Sequence, residues 1–148
     1  MWDDLRIRYP GGRMVIHMDI FFPASIANVR KLYKIMEQSE DVDVDELVDR
    51  ILRHMQDRDI RIEETARKAA NDFARDKTEY EELKEQLRSG KQANGVPIPK
   101  DQRKIWRARL HRADEGWRGD KRYYDQLMRE RKRLSQNKLL LLELNGRC

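Results

Sequence analysis

The chain has 148 residues and a net charge of +5, and 40% of its residues are charged while only 7% are aromatic. That length allows one domain, or one small core with an extension, and the mean hydropathy of −0.98 argues against a compact sphere. No apolar run approaches the roughly 20 residues of a membrane span, and no apolar leader segment is evident, so we expect a cytoplasmic protein. The single cysteine, Cys148, excludes an intrachain disulfide and a cysteine-based metal cluster.

The N-terminal part predicts a β-hairpin followed by a short helix. Apolar and polar side chains alternate on both sides of Pro10-Gly11-Gly12, which predicts two antiparallel strands with one apolar face. The apolar positions are Leu5, Ile7, Tyr9, Met14, Ile16, Met18 and Ile20. Ser25 is a suitable N-cap for a helix of about Ile26 to Gln38 with a wide apolar face. That face carries Ile26, Val29, Leu32, Tyr33, Ile35 and Met36.

Residues Val44 to Ser89 predict a single helix of 46 residues. Apolar side chains recur at alternating spacings of four and three over more than five heptads, which is typical of a coiled-coil seam. The seam positions are Val48, Leu52, Met55, Asp59, Ile62, Ala66, Ala69, Phe73, Asp76, Tyr80, Leu83 and Leu87. Asp43 with Glu46 fits a capping box at the start of the helix, and Gly90 marks its end.

A second helix of similar length is predicted from Lys100 to Leu144. Its seam positions are Trp106, Leu110, Ala113, Trp117, Asp120, Tyr124, Leu127, Arg131, Leu134, Lys138 and Leu141. The loop 90–99 between the helices contains Asn94-Gly95 and two prolines, which favour a turn. The sequence therefore predicts an antiparallel helical hairpin over 44–144. We predict that the helix continues through Leu139–Leu144. The alternative is that this apolar run forms a third strand.

Folding the chain about that loop pairs positions whose numbers sum to roughly 189. Asp59 then lies opposite Arg131, and Asp76 comes near Arg112. We therefore predict that the polar breaks of one seam meet opposite charges in or beside the other, with Asp59 and Arg131 as the pair that sets the register.

The fold class that follows is mainly α, with an α+β head at the base of a two-helix arm. The apolar stripe widens at Leu47 and Ile51, and it widens again near the end of the second long helix. The residues of that second widening are Leu139, Leu140, Leu142 and Leu144. We predict that residues 1–43 pack with 44–55 and 134–144 as the head, and that 145–148 form a tail. A monomer is expected, with a dimer formed by exchange of arms as the alternative.

Charge is distributed unevenly between the two long helices. Residues 100–148 contain 15 Lys and Arg against 7 Asp and Glu, whereas 44–89 contain 10 against 13. Pairing between the helices explains part of this difference, and the remaining basic surplus predicts a face that attracts phosphate backbones. The predicted contact residues are Arg103, Arg107, Arg118, Arg122, Tyr123, Arg129 and Arg133. Trp106, Trp117 and Tyr124 occupy seam positions and are expected in the core.

Catalytic chemistry has little support in the sequence. His17 and Asp19 stand two residues apart on the predicted second strand, but no third metal ligand or partner lies nearby. We expect no catalytic residue, no metal and no cofactor. Three classes of function remain: a non-catalytic binder of nucleic acid or of a nucleoprotein complex, a coiled-coil adaptor without nucleic-acid contact, and an enzyme built on His17 and Asp19.

In its size and general organisation the chain resembles the small counter-defence proteins of phages and mobile elements, of the anti-CRISPR type. Those proteins are short and single-domain, and they have no active site. The resemblance implies an inhibitor that blocks a nuclease complex, such as a CRISPR effector, by occupying its nucleic-acid channel or a moving part. For a basic chain it implies a grip on the guide or target nucleic acid, or on an acidic protein surface.

Overall fold

The computed structural model describes residues 4–17 and 25–147, and it has the predicted mainly-α fold. Its strands are β1 (Leu5–Tyr9) and β2 (Gly12–Ile16), and its helices are α1 (Ile26–Glu37), α2 (Val44–Ser89) and α3 (Arg103–Leu144). A single 3-10 turn, Lys100–Gln102, precedes α3, so the second long helix begins three residues later than predicted. The predicted strand residues 18–20, with Asp19, and the terminal Cys148 lie outside the described residues.

The β-hairpin has the predicted apolar face. β1 and β2 are antiparallel, with Leu5 opposite Ile16 and Ile7 opposite Met14. Leu5, Ile7 and Ile16 are buried, while Arg6 is exposed on the other face because successive side chains of a strand point to opposite sides.

Helix α1 begins at the predicted cap. The Oγ of Ser25 accepts a hydrogen bond of 3.3 Å from the backbone amide of Asn28. Val29, Tyr33 and Met36 are buried along one side of the helix. Ile26 was predicted on that apolar face but is 55% exposed, since it lies in the first turn, at the edge of the stripe.

The chain divides into two compact units. The first unit consists of the residues up to Glu63 together with those from Met128 onward, and the second unit is Glu64–Leu127. Helices α2 and α3 each contribute to both units, so each unit contains one segment of each long helix. The described residues of the predicted head, 1–43 with 44–55 and 134–144, all belong to the first unit, which extends further along both long helices.

The first unit contains the larger apolar core. Leu47 and Ile51 are completely buried, as the widening of the apolar stripe predicts. The other fully buried side chains of this unit are Leu5, Ile7, Val29, Met36, Val48, Met55, Asn137 and Leu141. Residues 139–144 continue α3, which confirms helix over strand.

Two predicted core positions near the end of α3 are wrong. Lys138 is exposed and Leu139 is 54% exposed, whereas Asn137 is buried. Leu134 and Leu141, seven residues apart, are both buried as predicted. Asn137 lies three residues after Leu134 and four before Leu141, so the inward position between them follows a three-four spacing where the count assumed four-three.

In the second unit, helix segments on either side of the loop pack through small and aliphatic side chains. Ala66, Ala69, Leu83 and Leu127 are buried, and Ile98 of the loop is 3% exposed and donates its amide to the carbonyl of Gly90 at 2.8 Å. The loop uses two glycines in the left-handed region, Gly90 and Gly95. The predicted loop 90–99 is therefore confirmed.

The predicted register pair is present in the first unit. Nε of Arg131 donates to Oδ1 of Asp59 at 2.8 Å, and its Nη2 lies 3.6 Å from a carboxylate oxygen of Glu63. Arg58 forms a further bridge from α2 to Glu130 of α3. The second expected pairing of opposite charges is only partly present. Asp76 and Arg112 line one cleft, but the seam residue that faces Asp76 is another aspartate, Asp120.

Candidate functional site

Four of the predicted contact residues lie together on α3 in the second unit. Arg103, Arg107, Arg118 and Arg122 are all exposed. At 3.6 residues per turn they fall within an arc of about 100° around the helix axis. We call these four side chains the basic face. Spacings of four, eleven and four residues bring them to one side because each is close to a whole number of helical turns.

Three of these arginines differ from the fourth in their surroundings. Among residues 4–17 and 25–147, no carboxylate lies within ion-pair distance of Arg103, Arg107 or Arg122. Arg118 differs, since its Nε donates to Oδ1 of Asp114 at 2.9 Å and its guanidinium lies 4.8 Å from the ring centroid of Trp117. The basic face therefore presents three uncompensated cations and one that is held by its own helix.

Other charged residues share the arc of the basic face. Lys104 and Lys121 are exposed and fall in the same arc, although the predicted contact set did not include them. The spacing rule that selected the arginines would have found both lysines. Two acidic residues, Asp114 and Asp125, also fall there, and both are half-buried. Six basic against two acidic side chains leave this side of the helix strongly positive.

The remaining predicted contact residues lie elsewhere. Tyr123 is 49% exposed, about 100° around the helix from Arg122, so it is outside the arc of the basic face. Arg129 and Arg133 are exposed on the part of α3 that belongs to the first unit. Arg129 has a helical angle within the arc, about 80° from Arg103, and Arg133 takes part in an interaction of its own. The structure thus brings together four of the six arginines.

A pair of carboxyl groups interrupts the seam of the second unit. Asp76 of α2 and Asp120 of α3 are half-buried, and their carboxyl groups are close enough to share a hydrogen bond when one of them is protonated. The hydrogen bond to Asp76, together with desolvation, raises the pKa of Asp120 from 3.8 to about 6. The pKa of Asp76 is lowered by the same hydrogen bond and by Arg75. Oδ2 of Asp120 is shielded from solvent and lacks a hydrogen-bond partner in the described part of the chain.

His17, which the enzyme hypothesis combines with Asp19, lies beside Asp4. Nδ1 of His17 lies 3.0 Å from Oδ1 of Asp4, and the histidine is exposed. Asp19, its proposed partner, is outside the described residues. Within 4–17 and 25–147, no three His, Cys, Asp or Glu side chains are grouped so as to hold a metal ion.

Comparison with known proteins gives no relative for this chain. No protein-family model, no curated protein and no solved structure matches it. The helices in the described ranges include none with the length and apolar character needed to cross a bilayer.

Proposed function

We propose that this chain is a non-catalytic binder of nucleic acid, free or within a nucleoprotein complex, and that the basic face of α3 makes the contacts. The observation that carries the proposal is the group of exposed, uncompensated guanidinium groups of Arg103, Arg107 and Arg122 on one side of a continuous helix. Arginine suits this role because its planar fork matches the oxygens of a phosphate.

The helix supports the proposal because it fixes these side chains on a rigid element. From Arg103 to Arg122 the axis advances about 28 Å, so the face covers a long stretch of a phosphate backbone. Because a rigid helix already holds these cations in place, binding costs little backbone entropy. Each phosphate contact also releases condensed counterions. We extend the proposal to inhibition: a nuclease complex such as a CRISPR effector would be blocked where this face occupies its guide or target nucleic acid.

The test is salt-dependent binding of the purified protein to labelled oligonucleotides, measured by fluorescence anisotropy. The variant Arg107→Gln/Arg122→Gln removes two proposed phosphate contacts. We expect its log Kd against log salt to have a slope lower in magnitude by about 1.8 for duplex DNA, at about 0.9 per contact. The variant should keep its helical circular dichroism, because exposed charges contribute little to stability.

A matched control is Arg6→Gln/Arg8→Gln, which removes the same net charge from the exposed side of β1. This control should bind like the wild type. Equal losses in the two double variants would show that net charge, and not the basic face, determines binding. A wild-type protein without salt-dependent binding would overturn the proposal and favour the coiled-coil adaptor.

A further inference from the structure

We infer that the basic face is built for duplex nucleic acid held by its phosphates, and not for a single strand held by stacked bases. This inference rests on the proposed function. Proteins that bind single strands combine a positive groove with exposed aromatic rings on which successive bases stack. A duplex keeps its bases stacked inside and presents phosphates, so a face for duplex needs cations without free rings.

Trp117, one of the two tryptophans of α3, is already covered. The ring of Trp117 lies 6.0 Å from that of Phe73 and 5.9 Å from that of Tyr80, and its Nε1 donates to Asp114 at 3.1 Å. Two cations also lie on it, since the ammonium of Lys77 is 5.5 Å from the ring centroid and the guanidinium of Arg118 is 4.8 Å away. Trp117 therefore has no free face for a base.

Two further aromatic side chains of α3 are partly covered, and a third is more exposed. Trp106 is half-buried and has the guanidinium of Arg109 5.1 Å from its ring centroid, and Tyr124 is half-buried at a seam position. The third, Tyr123, is 49% exposed. One ring outside the arc of the basic face cannot stack successive bases of a strand that follows the arginines.

The arginine spacing fits a stiff polyanion. Arg103 and Arg107 are about 6 Å apart along the axis, as are Arg118 and Arg122, and the two pairs are separated by about 16 Å. A duplex carries one phosphate per about 1.7 Å of its axis, counted over both strands, so the cations meet phosphates that are already held in a fixed array. A flexible single strand would have to be ordered over the same distance, at an entropic cost.

The experiment compares one DNA duplex with each of its separated strands, of equal length and carrying the same label, for the wild type, Tyr123→Ala and Arg122→Gln. We expect the duplex to bind about tenfold tighter than either strand at low salt. Tyr123→Ala should change every affinity by less than about twofold, whereas loss of a stacked base would weaken strand binding about fivefold or more. Arg122→Gln should weaken duplex binding and lower its salt slope by about 0.9.

The possible results separate the inference from the proposed function. Equal or tighter binding of single strands, with sensitivity to Tyr123→Ala, would overturn the duplex inference and leave the proposed function standing. A duplex preference that is lost in Tyr123→Ala would also overturn it, because a ring would then make the contact. Salt-dependent binding to neither probe would overturn the proposed function itself.

Discussion

Arg131 joins the two helix segments of the first unit through two carboxylates of α2. It lies 2.8 Å from an oxygen of Asp59 and 3.6 Å from one of Glu63, and the hydrogen bond to Asp59 raises the pKa of its guanidinium. Its side chain is 35% exposed, so solvent screens the interaction and each contact stabilises only modestly.

The two partners of this bridge should respond differently to substitution. Asp59→Asn leaves Arg131 with Glu63, whereas Arg131→Gln removes the cation that faces both carboxylates. We therefore expect Arg131→Gln to lower the free energy of unfolding more than Asp59→Asn, with a coupling of about 1 kcal/mol in the double-mutant cycle. Urea unfolding at neutral pH measures both. A coupling indistinguishable from zero would show that the bridge does not stabilise the fold.

Asp59 and Arg131 were predictable from sequence because each is a charge at an otherwise apolar seam position, and such charges need an opposite partner. Asn137 was not predictable in this way. The seven-residue count assigned its place to Lys138, and only the packing of α3 shows which of the two neighbours points inward. Asn137 is 1% exposed and takes part in an interaction, as is usual for a buried polar side chain.

At the scale of elements, the seam of the second unit contains a feature that depends on pH. The carboxyl groups of Asp76 and Asp120 face each other, with Asp72 and Arg75 beside them on α2. Arg112 lines the adjacent cleft together with Glu79 and Arg109. Below pH 6 one proton joins the two carboxyls, and above it two negative charges meet in the seam.

The sign of the effect follows from the two pKa shifts. The pKa of Asp120 is raised to about 6, so the folded state binds this proton more tightly than the unfolded state. The resulting stability is full below pH 3.8 and is lost as the pH rises towards 6. The lowered pKa of Asp76 acts in the opposite direction and at lower pH: its contribution is present above pH 3.8 and disappears as the pH falls below that value.

We expect Asp120→Asn to stabilise the protein above pH 7, because the amide donates to Asp76 without a negative charge. The gain over wild type should be about 1 kcal/mol at pH 7.5 after screening by solvent, and it should narrow towards zero at pH 5. Urea unfolding at several pH values and constant ionic strength measures the difference in free energy of unfolding between variant and wild type. Groups that titrate identically in both proteins cancel from this difference. An advantage that is independent of pH would show that Asp120 carries no shifted proton.

The element boundaries show how far the sequence determines the fold. Helix α2 has the predicted bounds because its capping residues and Gly90 are local signals. The start of α3 shifts by three residues because Pro99 leads into a 3-10 turn. The four arginines of the basic face follow from helical spacing alone. The ion pair of Arg118 with Asp114 and the covering of Trp117 depend on rotamers and packing, which the spacing does not specify.

At the scale of the whole molecule, the apolar core is unevenly divided. Among the described residues, thirteen buried apolar side chains belong to the first unit and five to the second. Two of those five are the alanines Ala66 and Ala69, which bury little area. Since burial of apolar surface is the main stabilising term, the second unit should open at a lower free energy than the first.

Hydrogen exchange followed by mass spectrometry tests this difference directly. Amides of α2 and α3 within Glu64–Leu127 should exchange faster under native conditions than those of the same helices in the first unit. Leu83→Ala should accelerate exchange mainly in the second unit. Leu47→Ala, which removes a fully buried side chain, should cost about 2–5 kcal/mol and weaken the first unit. Uniform protection along both helices would contradict the unequal stability.

The same measurement connects stability to binding. A ligand that binds only the folded second unit stabilises that unit by mass action, so saturating duplex DNA should slow exchange within Glu64–Leu127 more than in the first unit. Arg107→Gln/Arg122→Gln should lose this protection at the same duplex concentration, while Arg6→Gln/Arg8→Gln should keep it. Protection confined to the first unit would assign binding to a surface other than the basic face, because the unit that gains stability is the one that holds the ligand.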